Sequence, residues 1–220
     1  MLMIIVIVSL IVSFSFMLIL VLIAVSIGKK MAAARTRELA VFAKENGISF
    51  EPNSVLTLPR LPLFQRSGSV KNIMRLEEGV AWTIFDYAYL KASYKYSIVI
   101  AQTVYMAEIS EKVPTFSIWP KNAALSLAEF SGFKQADIVS NTDFSRKFFI
   151  ESSDRRISEF FSKEIVDYFC SNLQYAIEVA KGSIIFYKPC LQTQASDIKE
   201  SVKIIKALYM KILDAANQFA

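Results

Sequence analysis

Residues 1–28 contain no Asp, Glu, Lys or Arg, and this uncharged run constrains the fold more than any other feature of the chain. Its only polar side chains are serines, and it ends at the pair Lys29-Lys30. A helix rises about 1.5 Å per residue, so the run would be roughly 40 Å long and would exceed the roughly 30 Å hydrocarbon layer of a bilayer. Core helices of soluble proteins are rarely apolar on all sides over such a length. The sequence therefore predicts a transmembrane helix over residues 1–28.

A cleaved signal peptide is the main alternative interpretation of this run. Such a signal has a positively charged start and an apolar region of only about 7 to 15 residues. Here the first residues carry no charged side chain, and the apolar run is longer. Three alanines at positions 32–34 resemble a cleavage site, but they follow the lysine pair. A permanent anchor is therefore favoured.

The charges after the run predict its orientation. Four basic residues follow it closely: Lys29, Lys30, Arg35 and Arg37. Because basic residues that flank a span stay on the cytoplasmic side, we expect the N-terminus outside and the rest of the chain in the cytoplasm, with these four residues at the membrane surface. Cys170 and Cys190 then lie in a reducing compartment, where no disulfide is expected.

Composition and motifs limit what the rest of the chain can do. Residues 29–47 are predicted to form a juxtamembrane helix that ends at Asn46-Gly47, and residues 48–220 to form one domain. The chain has no histidine, which excludes Ser-His-Asp and Cys-His catalysis and histidine-ligated zinc. It has no glycine-rich phosphate motif and no Cys-x-x-Cys, so neither a cofactor nor a metal site is predicted. The net charge of +5 includes no dense basic block interleaved with aromatics, so nucleic acid binding is not expected.

The domain is predicted to be α+β with a mainly antiparallel sheet. Pro52, Pro59 and Pro62 mark a connector, and three runs rich in Val, Ile, Tyr and Thr between residues 69 and 109 favour successive strands. Later elements follow in this order: a strand near 116–119, a helical turn near 123–130, a strand near 147–151, a helix near 155–174, a hairpin near 175–188 and a long C-terminal helix from about 196. Lys199, Lys203 and Lys206 share one face of that last helix. This lysine face is either solvated or rests against anionic lipid headgroups.

Several short motifs occur in a fixed order along the chain. They are Leu63-Phe64, Asn72 to Arg75 before Gly79, the FDYAY run Phe85 to Tyr89, Phe116 with Pro120, and Phe144-Ser145 with Phe148. Together they resemble a widespread bacterial family of small, single-pass, membrane-anchored proteins of unknown function, and the resemblance covers roughly residues 39–188. It implies a membrane-tethered α+β domain at the bacterial inner membrane, and it brings no activity, cofactor or catalytic residue.

Asp86, within FDYAY, is the candidate structural or functional acid. By strand alternation it shares a face with Trp82 and Ile84, and a carboxylate among such neighbours is costly unless it is paired or protonated. No acid, base or nucleophile stands at a fixed spacing from it, which favours a structural acid over a catalytic one. Arg75 and Arg146 are the candidate partners.

Tyrosines are numerous in the predicted strands: Tyr87, Tyr89, Tyr94, Tyr96 and Tyr105. They could form a wall that faces a ligand. Cross-strand packing on a half-buried sheet is the favoured interpretation.

Three functions remain open. The leading hypothesis is a non-catalytic, membrane-anchored interaction or assembly module, such as an accessory subunit of an inner-membrane complex, with a protein partner. The alternative is a lipid- or small-ligand-binding domain, because a curved sheet closed by a helix can enclose a cavity. An enzyme that uses Asp86 or another carboxylate comes third and has no motif in its favour. The oligomeric state stays open.

Overall fold

The computed structural model describes residues 2–92, 97–121, 142–154, 157–172 and 174–219. The helices in this part are α1 Leu2–Glu45, α2 Thr142–Lys147, α3 Ile157–Phe160, α4 Lys163–Asn172 and α5 Ile198–Phe219. The strands are β1 Ser49–Glu51, β2 Gly68–Glu77, β3 Ala81–Ala92, β4 Ser97–Glu108, β5 Phe116–Pro120, β6 Phe148–Ser152, β7 Ala176–Ala180 and β8 Ser183–Tyr187. Short 3-10 turns cover Pro62–Gln65 and Ala195–Asp197.

The strands form one eight-stranded sheet in the order β1-β2-β3-β4-β8-β7-β5-β6. Every neighbouring pair is antiparallel, so the predicted α+β class with an antiparallel sheet is confirmed. The β3–β4 register is uninterrupted from the Thr83 and Met106 pair to the Ala92 and Ser97 pair. Side chains on these two strands therefore alternate strictly between the two faces of the sheet.

Each face of the sheet carries its own apolar cluster. One face, here called the helix face, packs against α3, α4, α5 and the last turns of α1, with Trp82, Ile84 and Tyr105 among the buried residues. The opposite face carries Phe85 and Tyr87 and is covered by the connector between β1 and β2. Because the sheet is covered on both sides, every residue of β5 is buried, without alternation.

Helix α1 continues without a break from its apolar part into the domain. It has 44 residues and is therefore about 66 Å long. Every side chain described between Met3 and Ala34 is exposed, whereas Leu39 and Ala43 are fully buried in the helix-face cluster. Within the described residues, α1 is the one helix long and apolar enough to cross a membrane.

The direction of α1 defines two ends of the sheet. Thr36 contacts Asn72 on β2, and Ser49, just after the helix, is in register with Arg75, so α1 runs in the same direction as β2. Toward its N-terminus, α1 therefore passes the end of the sheet that carries Leu90 of the β3–β4 hairpin. This end is here called the proximal end. The distal end carries the Gly79 turn and the paired strand ends at Glu108 and Ser183.

The later elements predicted from the sequence follow the structure closely, with one difference among the described residues. The predicted hairpin is confirmed, and its turn has positive φ at both Lys181 (46°) and Gly182 (76°), which suits a tight type I′ turn. The single helix predicted near 155–174 was wrong, because the structure has α3 and α4 there. Phe160 and Phe161 are both buried, and neighbouring residues point about 100° apart on a helix, so the helix breaks to bury both rings. The helical turn predicted near 123–130 lies outside the described residues.

Candidate functional site

Asp86 lies on β3 with its side chain on the helix face, as strand alternation predicted. It is 6% exposed. Arg35 on α1 donates to both carboxylate oxygens, from Nε at 3.2 Å and from Nη2 at 3.4 Å. The Asn72 amide donates at 3.0 Å and the Thr103 hydroxyl at 2.9 Å. These donors satisfy the carboxylate and offset the cost of its burial.

A second layer of hydrogen bonds connects α1 to β2 through Asn72. The Thr36 hydroxyl donates to Asn72 Oδ1 at 2.9 Å. Asn72 has a φ of 55° and lies where the β2–β3 register shifts between Lys71 and Met74. Asn tolerates the left-handed region better than most residues, and the bulge turns its amide into the gap between α1 and Asp86.

The segment after β8 joins the same cluster. Thr103 Oγ1 accepts a hydrogen bond from the backbone N–H of Thr193 at 2.9 Å, and Glu38 Oε1 accepts one from the N–H of Ala195 at 3.2 Å. We call the set Arg35, Thr36, Glu38, Asn72, Asp86 and Thr103 the anchor junction. It connects α1, the middle of the sheet and the start of α5.

The chemistry of the anchor junction favours a structural role. Asp86 is surrounded by donors that its carboxylate already accepts, and none of the three contacting side chains is a base at neutral pH. Using Asp86 as a base or nucleophile would require breaking these contacts. The arrangement instead fixes where α1 lies on the sheet and how it is rotated about its own axis.

The partners proposed for Asp86 from the sequence were wrong. Arg75 pairs with Glu51 at the sheet edge, and Arg146 pairs with Asp143 at 3.6 Å. The partner is Arg35, which was assigned to the membrane surface but has a side chain only 14% exposed. Its position is explained by the spacing of four residues from Arg35 to Leu39, which places both on one face of α1.

The other residues assigned to the membrane surface are dispersed. Lys29, Lys30 and Arg37 are exposed on α1. Helix α5 runs from the anchor junction toward the distal end, where Tyr209 donates to the carbonyl of Glu108. The three lysines of α5 therefore differ in their distance from the distal end. Lys199 and Lys203 are exposed on the first turns of the helix, whereas Lys206 lies beside the Gly79 turn at the distal end.

A second buried acid, Glu178 on β7, was missed from the sequence. It is 1% exposed on the face opposite α1. Its carboxylate accepts hydrogen bonds from the Leu63 N–H at 2.9 Å, the Tyr187 hydroxyl at 2.7 Å and the Trp119 indole at 3.3 Å. Burial raises the pKa of Glu178, and these hydrogen bonds oppose the rise. The signal was present, because Glu178 is the one charge in an apolar strand and the tight turn places Tyr187 diagonally across from it.

Of the five tyrosines named from the sequence, the three that the structure describes pack inside the domain. Tyr87 and Tyr89 are buried in the cluster on the face opposite α1, and Tyr105 is buried in the helix-face cluster. Packing is therefore confirmed for these three. Tyr94 and Tyr96 lie outside the described residues.

Two clefts lined by residues that the structure describes have the size of a binding site. The larger, about 790 Å³, lies at the distal end, and its apolar lining includes Leu58, Val80, Met106, Met210 and Leu213. The smaller, about 430 Å³, lies beside Glu178 and is also lined by Trp119, Glu151 and the arginines Arg60 and Arg66. Among the described residues, no group of His, Cys, Asp and Glu has a metal-binding arrangement.

Comparison of the chain with models of known protein families, with curated proteins and with solved structures found no match. The resemblance of the FDYAY motifs to a membrane-anchored bacterial family therefore stays a prediction.

Proposed function

We propose that the chain is a non-catalytic, membrane-anchored interaction module of the bacterial inner membrane. Residues 1–28 cross the bilayer, and the α+β domain is held on the cytoplasmic side to bind a protein partner. The observation that carries the proposal is the continuity of α1, which has exposed apolar surface along its first part and ends in the anchor junction and the core.

The exposed part of α1 supports membrane insertion. Large apolar residues along it are about half exposed or more, including Phe14, Leu22 and Ile27. A continuous apolar surface of this size requires a nonpolar environment. Lys29, Lys30 and Arg37 are exposed where the apolar part ends, which supports the cytoplasmic side for the domain.

The anchor junction supports a fixed orientation of the domain. A flexible linker would let the domain rotate freely below the membrane. Here the helix that leaves the bilayer is itself bound to the sheet through Arg35 and Asp86. From position 29 to position 45 it rises about 24 Å, so the distal end stands at about that distance from the membrane surface.

The distal cleft supports partner binding. Its lining is mostly apolar, with Glu108, Thr57 and Ser183 at polar positions around it. Met106 and Met210 have flexible side chains, which adapt to the shape of a bound surface. Because the cleft is at the distal end, a cytoplasmic protein or the cytoplasmic part of a membrane assembly can reach it.

Small-ligand binding is the second candidate function. Both clefts fall within the range of roughly 300 to 1,000 Å³ that is typical of ligand sites. The larger one lies at the end away from the membrane part of α1, so its position favours a soluble ligand over a bilayer lipid. The smaller one brings Glu178 near Arg60 and Arg66, which suits a polar ligand.

The test is recovery of partners from native membranes in mild detergent, with a C-terminal tag on the full chain. Met210, 44% exposed in the distal cleft, is changed to Glu, and Ile204, 38% exposed on the same helix but outside the cleft, is changed to Glu as the matched control. We expect a stoichiometric protein partner that is lost with Met210→Glu and retained with Ile204→Glu. Recovery of a small molecule without a protein would favour the second candidate. Release of the chain from membranes by carbonate would contradict the anchor.

A further inference from the structure

The proximal end of the β3–β4 hairpin carries an exposed apolar pair. Leu90 and Val99 are directly in register, and they are 61% and 71% exposed. Residues directly opposite each other on an antiparallel pair have Cβ atoms about 5 Å apart, so the two side chains form one patch. Isolated apolar residues on a surface are common, so it is the position of this pair beside α1 that points to an occupant.

This pair lies on the face of the sheet from which α1 departs. Because the register is regular, Leu90 is on the same face as Asp86, and Val99 is on the same face as Thr103. Between them lies the Ala88 and Ala101 pair. On the helix face, α1 thus contacts the sheet at the level of Asp86, whereas the side chains at the level of Leu90 are exposed.

The dimensions of helices and strands show which residues of α1 are level with the patch formed by Leu90 and Val99. From Asp86 to Leu90 a strand advances about 13 Å, and the advance is somewhat shorter along a helix that crosses the strand at an angle. Going back 10 to 13 Å along α1 from Arg35 corresponds to about seven to nine residues and reaches positions 26–28. The patch is therefore level with the end of the apolar run, just before the Lys29-Lys30 pair.

We infer that this hairpin end is a second membrane contact, in which Leu90 and Val99 enter the headgroup region beside α1. The inference rests on the proposed membrane anchor. A bilayer that covers the exposed side chains of α1 up to Ile27 has its surface at the height of the patch, so the same occupant covers both. The sequence that connects the two strands, with Lys91 and then Ser-Tyr-Lys-Tyr at 93–96, has the composition of membrane-interface segments.

The second contact has a mechanical consequence. A single helix leaves the domain free to tilt toward and away from the bilayer surface. With α1 and the hairpin both in contact, the proximal end is fixed against the bilayer, and the distal cleft is directed into the cytoplasm. The orientation that the proposed partner binding needs then comes from two contacts.

The test measures membrane depth with an environment-sensitive fluorophore on single cysteines of the full chain in liposomes. Cys170 and Cys190 are first replaced by Ser. Probes are then placed by Leu90→Cys and Val99→Cys, with Glu108→Cys as the control on the same strand, nine residues and about 30 Å from Val99. Val21→Cys reports the anchor itself. Lipids carrying nitroxide at the headgroup or on the acyl chain are used as quenchers.

The expected result is a blue-shifted emission at positions 90 and 99 with quenching strongest for headgroup nitroxide, and aqueous emission at position 108. If Val21→Cys reports lipid while positions 90 and 99 match position 108, the hairpin contact is refuted and the anchor stands. If Val21→Cys is aqueous, the anchor itself fails, and the hairpin contact with it. Probes at 90 and 99 that are shielded from water but unquenched by either lipid would indicate a protein occupant and would overturn the inference.

Discussion

Breaking the ion pair between Arg35 and Asp86 should weaken the whole domain, because this pair attaches α1 to the middle of the sheet. The two side chains are 14% and 7% exposed, so most of the pair is shielded from water. Arg35→Ala removes two donors but leaves Asp86 bound by Asn72 and Thr103. Hydrogen bonds to charged groups contribute about 1.5–3 kcal/mol, and we expect a loss of about 2–3 kcal/mol in the free energy of unfolding.

Asp86→Ala should cost more than Arg35→Ala. It leaves the guanidinium of Arg35 and the buried donors of Asn72 and Thr103 without their acceptor. Removing one partner of a buried pair typically costs about 3–5 kcal/mol, and that is the expected loss. The double variant should show a coupling energy of about 1–3 kcal/mol between the two positions, because each single change already removes their shared contact.

The assay is urea unfolding of the full chain in mild detergent, followed by tryptophan fluorescence. Trp82 and Trp119 are 1% and 5% exposed and lie on opposite faces of the sheet, so unfolding of either cluster is detected. Arg75→Ala is the matched control, because its pair with Glu51 is exposed and should contribute less than about 1 kcal/mol. Equal effects of Arg35→Ala and Arg75→Ala, or a coupling energy near zero, would refute this reasoning.

Two further predictions concern the face opposite α1. Burial raises the pKa of Glu178 above its ordinary value of 4.5, so the folded chain keeps the carboxyl proton to higher pH than the unfolded chain does. The free energy of unfolding therefore decreases as pH rises from about 4.5 through the pKa of the folded state. In Glu178→Gln, whose amide can donate to Tyr187, the free energy of unfolding measured with urea should decrease less between about pH 4 and 8. An unchanged pH dependence would show that Glu178 is not the group responsible. Gly68→Ala should cost about 1–3 kcal/mol in thermal or urea unfolding, because the new Cβ would overlap the buried ring of Tyr87. Gly28→Ala, which meets open space, is its control, and equal losses would count against the overlap.

The local elements of this fold were predictable where turn residues mark their ends. The strands β2, β3 and β4 and the β7–β8 hairpin come from runs of β-branched and aromatic residues that end at Gly79 and at Lys181-Gly182. The order of strands was not predictable in the same way. Strand β4 pairs with β8, about 80 residues further along the chain, and β5 lies between β6 and β7. Such pairings depend on which apolar faces meet in space, and single-sequence periodicity does not specify them.

The candidate site was predicted in part, for physical reasons that differ between its members. The face of Asp86 followed from strand alternation, which the regular β3–β4 register preserved. The prediction of its partner was wrong, because Arg35 was assigned to the membrane surface on the basis of its nearness to the apolar run. Its spacing from Leu39 and Ala43 was the better guide, since residues four apart on a helix share a face. The site around Glu178 was missed because its charge in an apolar strand indicates burial but does not reveal its partners Leu63 and Trp119, which come from distant parts of the chain.

The anchor junction also explains why a charge pair is placed where apolar packing would bury α1 equally well. Replacing a buried ion pair by apolar residues is often neutral for stability, so the pair is better understood by what it specifies. Leu39 and Ala43 provide a small apolar contact that tolerates rotation of the helix about its axis. A shift by one residue turns a helix by about 100°, which would move the Arg35 guanidinium away from the fixed donors and acceptors around Asp86. The directional bonds therefore set one rotation of α1 against the sheet and one position along its axis, and that position fixes the distance between the domain and the apolar part of the helix.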